Sequence, residues 1–195
     1  NYRDLEGFDS SAYLIVKNVN VLEDCSINGT GNLGSFFGSA RGLDRIVLED
    51  CTNSGNVFGS GQNIGGFIGD SSYDETLAGA VCYDTHSFSI VGCTNYGHIR
   101  CGSKGWCSSL IGYNLHDGTI SNYTNNGIVE IVGSAISSVG VAAGNTSSNN
   151  VTYENVIQNG YIKYSGSVTV HAKENTTENF AVYYTNSSGQ LVSGY

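Results

Sequence analysis

The chain has 195 residues, including 27 glycines, no proline and no methionine, and charged residues make up only 13% of it. Acidic residues outnumber Lys and Arg by 17 to 8, giving a net charge of −9. Free nucleic acid is therefore a poor partner, because affinity for it comes mainly from basic residues that contact phosphates. The scarcity of helix formers beside abundant Gly, Ser and Asn disfavours a coiled coil or helical bundle. No apolar run approaches the roughly 18 residues of a membrane span.

Internal repeats organise the chain from its first strand-like segment, residues 12–21, onward. The tetrapeptide LEDC at residues 22–25 recurs at residues 48–51. Later copies share an Asn, a Gly two positions further on, and then alternating apolar residues. These pairs are Asn53 and Gly55, Asn95 and Gly97, and Asn125 and Gly127, with Asn159 and Gly160 as a copy one residue shorter.

The spacing of the copies predicts the length of one structural repeat. Cys25 and Cys51 are 26 residues apart, Cys51 and Cys93 are 42 apart, and Cys93 and the matching Tyr123 are 30 apart. One coil of a β-solenoid takes roughly 20–30 residues. The interval of 42 therefore predicts one coil plus an insertion at about residues 70–90.

Short β-rich segments punctuated by Gly, Asn and Ser, without any 3.6-residue apolar period, predict an all-β parallel solenoid. A β-sandwich would explain the short strands but not the recurring Asn-x-Gly. We predict solenoid repeats over residues 1–166. Residues 167–195 alternate like a half-exposed sheet and predict an antiparallel C-terminal cap or assembly extension; a further degenerate coil is the alternative.

The segment GNVFGSGQNIGGFIG, from Gly55 to Gly69, resembles the Gly-rich repeats known as GLUG motifs. The stretches 93–112 and 123–140 look like looser versions of the same repeat. Such arrays are found in large surface and secreted proteins, including adhesin-like molecules. The resemblance implies a right-handed parallel β-helix with a structural or adhesive role.

An even number of cysteines in a lysine-poor chain suggests an oxidising compartment. We consider three pairings: Cys101 with Cys107, Cys25 with Cys51, and Cys82 with Cys93. The alternative is a set of free thiols buried in an inward-facing ladder. Asn-x-Ser/Thr sequons, slightly more than chance would give, mark candidate glycosylation sites. They are at Asn28, Asn122, Asn145, Asn150, Asn175 and Asn186.

The two LEDC copies also raise the question of chemistry. Stacking them would place Asp24 over Asp50, about 4.8 Å apart, as a calcium site or catalytic pair. We favour the simpler interpretation of solvated charges at a corner. A second acidic group at the insertion, from Asp70 to Asp84, indicates either calcium binding or a solvated loop. We assign no catalytic residue and no cofactor beyond this calcium alternative.

The remaining candidate ligand contact is a small loop closed by Cys101 and Cys107, which would present Lys104 and Trp106. Taken together, the sequence predicts an extracellular or cell-surface glycoprotein, processed or excised from a longer chain because it lacks an initiator Met. We expect a β-solenoid subunit of a surface or fibrous assembly, with other copies or flanking repeats as partners. The alternatives are an adhesin or carbohydrate-binding module, and a β-helix polysaccharide lyase or hydrolase.

Overall fold

The computed structural model describes most of the repeat region and part of the C-terminal segment. The described residues are 13–40, 45–71, 87–102, 105–113, 117–132, 136–144, 151–165, 172–173, 182–185 and 191–193. Within these ranges all regular structure is β, with no helix, as the sequence predicted. It follows that none of the described segments forms a helix long and apolar enough to cross a membrane.

Short strands follow one another along successive coils. The first coil contains β1 (Tyr13–Lys17), β2 (Asn20–Val21), β3 (Ser26–Gly29) and β4 (Phe37–Ser39). The second contains β5 (Arg45–Glu49), β6 (Thr52–Asn53), β7 (Asn56–Gly59), β8 (Asn63–Gly65) and β9 (Ile68–Asp70). The third contains β10 (Ser87–Val91), β11 (Thr94–Asn95), β12 (His98–Cys101), β13 (Gly105–Ser108) and β14 (Ile111–Tyr113).

The later coils use fewer and longer strands. The fourth contains β15 (Asp117–Asn125), β16 (Ile128–Val132) and β17 (Ile136–Gly140). The fifth contains β18 (Val151–Gln158), β19 (Tyr161–Ser165) and β20 (Ala172–Lys173). They are followed by β21 (Val182–Thr185) and β22 (Leu191–Ser193).

Strands of successive coils lie beside one another, and the stack forms four sheets. The first sheet has the order β1-β5-β10-β15-β11-β6-β2, with β18 also paired to β15. The second has the order β22-β21-β19-β16-β12-β7-β3, the third β20-β17-β13-β8 and the fourth β14-β9-β4. This arrangement is the predicted parallel β-solenoid.

The pairing register locates the predicted insertion. Leu48 lies opposite Ile90, 42 residues further on, whereas Ile90 lies opposite Ile120 after only 30 residues. The extra residues fall between the end of β9 and the start of β10, a span that includes residues 72–86, which lie outside the described part. The insertion is therefore where the spacing of the cysteines predicted it.

The C-terminal segment is mixed. The short strands β20 and β21 pair in parallel with β17 and β19 and so continue the sheets of the solenoid. Only β22 runs antiparallel, against β21. The expected antiparallel cap is thus limited to this last pair among the described residues.

A column of left-handed residues forms one corner of every coil. Asn18, Asp50, Asn122 and Asn155 have φ between 52° and 56°, and Gly92 has φ of 67°. Side chains with a Cβ rarely adopt this region, and Asn and Asp tolerate it best. The abundance of Asn in this sequence therefore has a backbone cause as well as a side-chain one.

The recurring Asn-x-Gly forms a second column, inside the solenoid. Asn53 donates from Nδ2 to Asn95 Oδ1 at 2.8 Å, and Asn95 donates in the same way to Asn125 at 2.8 Å. Each of the three also donates to the carbonyl oxygen of the Gly two positions on. These Asn side chains are fully buried, and their bonds hold successive coils in register.

The glycine of the repeat is required for space rather than for an unusual φ. A Cβ built on Gly97 would overlap the carbonyl oxygen of Gly55, and one on Gly127 would overlap that of Gly97. Adjacent coils approach each other too closely here for any side chain. In the shortened copy, Gly160 keeps its predicted place next to Gly127. The amide column is continued there by Gln158 rather than Asn159, because Gln158 accepts a hydrogen bond from Asn125 at 2.9 Å.

Apolar side chains from all coils fill the interior in rows that run along the solenoid axis. Leu48, Ile90 and Ile120 form one such row and are completely buried. Cys51 and Cys93 form another with Tyr123, as the predicted alignment required. Burial of these rows is possible only in the stack, because a single coil leaves both of its sides open.

The stacking of the two LEDC copies was wrong. Thr52 pairs with Asn20, and Asn56 donates its backbone N–H to Cys25, so Cys25 lies level with the repeat Gly of the second coil and not with Cys51. The two copies occupy different parts of their coils, because residues 22–25 form the turn between β2 and β3, whereas residues 48–51 run from the end of β5 to the start of β6. The shared letters are therefore not structurally equivalent.

Candidate functional site

The first coil forms one end of the described part of the solenoid. Its strands β1 and β2 have a described partner strand on one side only. Val16 lies in the same inward row as Leu48, yet Val16 stays partly exposed while Leu48 is fully buried. The difference follows from position, because Leu48 has a described coil on each side and Val16 has one. Among the described residues this end therefore leaves the outer edges of β1 and β2 without a strand partner and Val16 incompletely covered.

Exposed large apolar side chains are concentrated at the same end. We call Tyr13, Ile15, Val19 and Leu22 the first-coil edge; their exposed fractions are 63%, 51%, 42% and 62%. Within the described ranges only one other large apolar residue, Tyr96, is comparably exposed. A cluster of exposed apolar side chains commonly marks an interaction surface, whereas apolar residues exposed singly are ordinary.

The side-chain amides of Asn53, Asn95, Asn125 and Gln158 form a column inside the solenoid, and an unpaired polar atom lies at each end of it. Its first member, Asn53, has a buried Oδ1 without a hydrogen-bond partner, and its last member, Gln158, has a buried Nε2 without one. All the amides between them point the same way. The column thus ends in an acceptor toward the first coil and a donor toward the last, and it has a direction along the axis.

A charged cluster lies on the outer face of the second sheet. It contains Arg100, Glu130 and Lys163, which lie opposite one another on three successive coils, together with His98. Lys163 Nζ is 2.8 Å from Glu130 Oε1, His98 Nε2 is 2.9 Å from Oε2, and Arg100 Nε is 3.6 Å from Oε2. We call these four residues the Glu130 cluster. Three nitrogen groups therefore surround one carboxylate in a chain that is acidic overall.

The ionisation of the cluster follows from its burial and its partners. Burial by itself would raise the pKa of Glu130, but the hydrogen bond and charge of Lys163, with His98 and Arg100, lower it below the usual range. Burial lowers the pKa of His98, and the attraction of Glu130 offsets this only in part. Glu130 is therefore ionised and His98 largely neutral at pH 7. His98 Nε2 lies 2.9 Å from Glu130 Oε2 without the alignment of a regular hydrogen bond.

Aromatic surface adjoins the charges. The ring of Phe58 meets the His98 ring edge-on, with centroids 5.2 Å apart, and Phe58 lies opposite Arg100 in the neighbouring strand. Within the Glu130 cluster, Arg100 has the most exposed side chain, at 51%. The face therefore combines an exposed guanidinium, a partly exposed ammonium and an aromatic ring.

The cysteines are divided between one disulfide and several thiols. Cys101 and Cys107 are bonded, as predicted. Cys25 is an exposed free thiol, whereas Cys51 and Cys93 are buried free thiols. The pairing of Cys25 with Cys51 is wrong, because the register separates them. Cys82 lies outside the described residues, and Cys93 is not bonded to it.

The predicted ligand loop is only partly described. Trp106 lies in β13, half-buried, and stacks on Tyr113 with ring centroids 4.3 Å apart. Lys104 lies outside the described residues. A role for either residue in ligand contact stays a prediction, and Trp106 has at least one structural role in covering Tyr113.

Two of the candidate glycosylation sites can be located. Asn28 lies exposed in β3, and Asn122 lies exposed at the left-handed corner of the fourth coil, where its Oδ1 accepts from Asn155 at 2.8 Å. Both side chains are accessible. Asn145, Asn150, Asn175 and Asn186 lie outside the described residues.

The alternative of carboxylate sites at Asp24 and Asp50 or around Asp70 finds no assembled site in the described part of the chain. Asp24 and Asp50 do not stack, because the two LEDC copies are out of register. Asp70 is fully buried and accepts from Asn32 at 2.9 Å and Asn63 at 3.2 Å; its predicted acidic neighbours lie outside the described residues. No three described His, Cys, Asp or Glu side chains are close enough to hold a metal ion.

Sequence analysis missed the Glu130 cluster, although the repeat contained a signal for it. Phe58, Arg100, Glu130 and Lys163 each stand three positions after the glycine of their repeat. Residues at the same position of stacked coils form one row, and charges of opposite sign in such a row are expected to pair. Comparing the repeats by charge would have revealed the cluster.

No family model, curated protein or solved structure matches this chain. The assignment of the fold therefore depends on the strand pairing itself, and the likeness to GLUG repeats stays a resemblance.

Proposed function

We propose that this chain is a structural β-solenoid segment of an extracellular surface or fibrous assembly, extended by stacking at the first-coil edge. The observation that carries the proposal is the incompletely covered inward row at Val16, which lies in the same coil as the exposed apolar side chains of the first-coil edge. A further parallel strand placed on β1 would satisfy its backbone groups and complete the core. Because the two ends of a solenoid differ, such stacking is head-to-tail and propagates into fibres.

An extracellular setting agrees with two features. The Cys101–Cys107 disulfide forms in oxidising compartments. The sequons at Asn28 and Asn122 are exposed and accessible to modification. The partner at the open end is a second copy of the chain, or an adjoining coil of a longer repeat protein.

A charge placed on the edge tests the proposal. Ile15→Lys puts an ammonium on the open strand, a change that natural edge strands use to prevent pairing. Val47→Lys is the matched control, because Val47 lies opposite Ile15 in the same outward row, one coil further in. Electron microscopy and sedimentation should show end-to-end particles for the wild type and the control, and monomers for Ile15→Lys. Monomeric wild-type protein at all concentrations would reject the proposal.

A second candidate function, recognition of an acidic glycan, is favoured by the Glu130 cluster. Arginine binds carboxylate and sulfate groups in a bidentate manner, and the adjoining Phe58 ring offers an apolar face to a sugar. Arg100→Ala should abolish retention on immobilised polygalacturonate or on a sulfated glycan, whichever binds. Arg45→Ala, an exposed cation on the first sheet, should leave it unchanged. Equal binding to a neutral glucan would reject this candidate.

A further inference from the structure

Two buried thiols face each other on neighbouring coils. Thr52 and Thr94 are paired residues of β6 and β11, and Thr94 donates its backbone N–H to the carbonyl oxygen of Cys51 at 3.0 Å. Cys51 and Cys93, one position earlier, therefore occupy adjacent rungs of the same inward row. Neighbouring strands lie about 4.8 Å apart, which falls within the Cα separation that a disulfide spans.

The surroundings of both thiols are closed. Neither side chain has any exposed surface. Cys51 Sγ lies 3.3 Å from the carbonyl oxygen of Glu49, and Cys93 Sγ lies 3.6 Å from that of Val91. Burial raises the pKa of Cys93 to about 12, so its thiolate, the form that reacts with disulfides, is almost absent at neutral pH. An oxidant in solution cannot reach either sulfur atom, and it does not find Cys93 ionised.

We propose that Cys51 and Cys93 form a disulfide that joins the second and third coils, and that it forms only before these coils close on each other. In the oxidised form, the cross-link encloses the long interval between the two coils, including the insertion. In the form folded without oxidant, the same residues stay a protected dithiol. The redox state of this part of the core is therefore fixed during folding and preserved afterwards.

The oxidant in a secretory compartment is a low-molecular-weight disulfide such as oxidised glutathione. The thiolate of one cysteine attacks this disulfide, forms a mixed disulfide and releases one glutathione thiolate. The second protein thiolate then attacks the protein sulfur of the mixed disulfide and releases the other glutathione. The two protein thiols lose two electrons and two protons, and one glutathione disulfide becomes two glutathione thiols.

The test compares two orders of folding and oxidation in full-length Cys25→Ser protein, which lacks the exposed thiol. One sample is refolded from denaturant in a glutathione redox buffer. The other is refolded in reductant and then transferred to the same buffer. Free thiols are alkylated in denaturant, and the chain is cleaved before Asp residues. Cleavage at Asp50, Asp70, Asp74 and Asp84 leaves Cys51, Cys82 and Cys93 in three separate peptides.

We expect the Cys51–Cys93 linked peptide in the first sample and alkylated Cys51 and Cys93 in the second. The Cys101–Cys107 bond is the internal control for oxidation in the first sample only, because Cys101 and Cys107 are also buried. The Cys51–Cys93 link should raise the melting temperature by several degrees, so the difference in melting temperature between the two samples should be several degrees smaller in a Cys51→Ala/Cys93→Ala variant. A link from Cys82 to either residue, or unlinked Cys51 and Cys93 in the first sample, would overturn the proposal. Formation of the link in the prefolded sample would overturn the claim of protection.

The experiment does not depend on assembly, because it can be read in monomers. Loss of end-to-end stacking would leave its outcome unchanged, and absence of the linked peptide would leave the assembly proposal unaffected.

Discussion

Lys163 and Glu130 lie directly opposite each other on adjacent coils, and their charged atoms are 2.8 Å apart. Glu130 is nearly buried, while Lys163 keeps about a third of its side chain exposed. Burying a carboxylate is costly unless charge and hydrogen bonds compensate for it. Lys163 on the fifth coil thus offsets the cost of burying Glu130 on the fourth. The contact between them couples the stability of the two coils.

Removing this lysine should destabilise the solenoid. We expect Lys163→Gln to lower the free energy of unfolding by about 1–2 kcal/mol, because Glu130 loses its shortest charged contact. Lys17→Gln is the control, since Lys17 pairs with Glu49 at the surface, where both side chains are substantially exposed. That change should cost less than about 0.5 kcal/mol. Chemical denaturation of both variants measures the difference, and equal losses would contradict the role given to burial.

The same cluster predicts how stability depends on pH. The folded pKa of Glu130 lies below 4.5 and that of His98 below 6.5. For both groups the unfolded chain binds protons more readily, so their contributions are complete above these values and decline as pH falls through the folded pKa. Denaturation curves should therefore show decreasing stability below pH 6.5, with a second decline below pH 4.5. Glu130→Gln should remove the second decline; a decline of unchanged size would contradict this assignment.

The interior amide column predicts a larger effect. Asn95 accepts from Asn53 and donates to both Gly97 and Asn125, so Asn95→Ala breaks three buried hydrogen bonds at once. We expect a loss of about 2–4 kcal/mol in unfolding free energy. Asn126→Ala, at an exposed position beside the column, should cost about 1 kcal/mol or less. Equal effects would show that the column does not fix the register of the coils.

The features that sequence predicted are those in which one residue type recurs for a steric or hydrogen-bonding reason. Asn53, Asn95 and Asn125 recur because each must satisfy a backbone carbonyl and the next amide in a buried position. The repeat glycines recur because neighbouring coils leave no room for a Cβ. Both constraints act within one coil and its neighbour, so they are visible in the sequence as a repeat.

The misplaced feature depends instead on where a segment lies within its coil. Cys25 resembles Cys51 in its flanking residues, but residues 22–25 form the turn between β2 and β3, whereas residues 48–51 run from the end of β5 to the start of β6. Four matching letters do not show which part of a coil they occupy. The Glu130 cluster was missed for another reason, because Arg100, Glu130 and Lys163 differ in residue type and share only their distance from the repeat glycine.

The left-handed corner gives a final prediction, which separates backbone strain from side-chain contacts. Asn122 has φ of 52° and accepts one hydrogen bond from Asn155. Asn122→Gly keeps the conformation and loses only that exposed bond, so it should cost less than about 1 kcal/mol. Asn122→Val forces a β-branched residue into the same conformation and should cost about 1–3 kcal/mol.

Thr119→Val in the same strand is the control, where valine suits the extended backbone. Thermal and chemical denaturation of unglycosylated protein measure all three. Similar values for the glycine and valine variants at residue 122 would show that the hydrogen bond, and not the corner conformation, selects asparagine there.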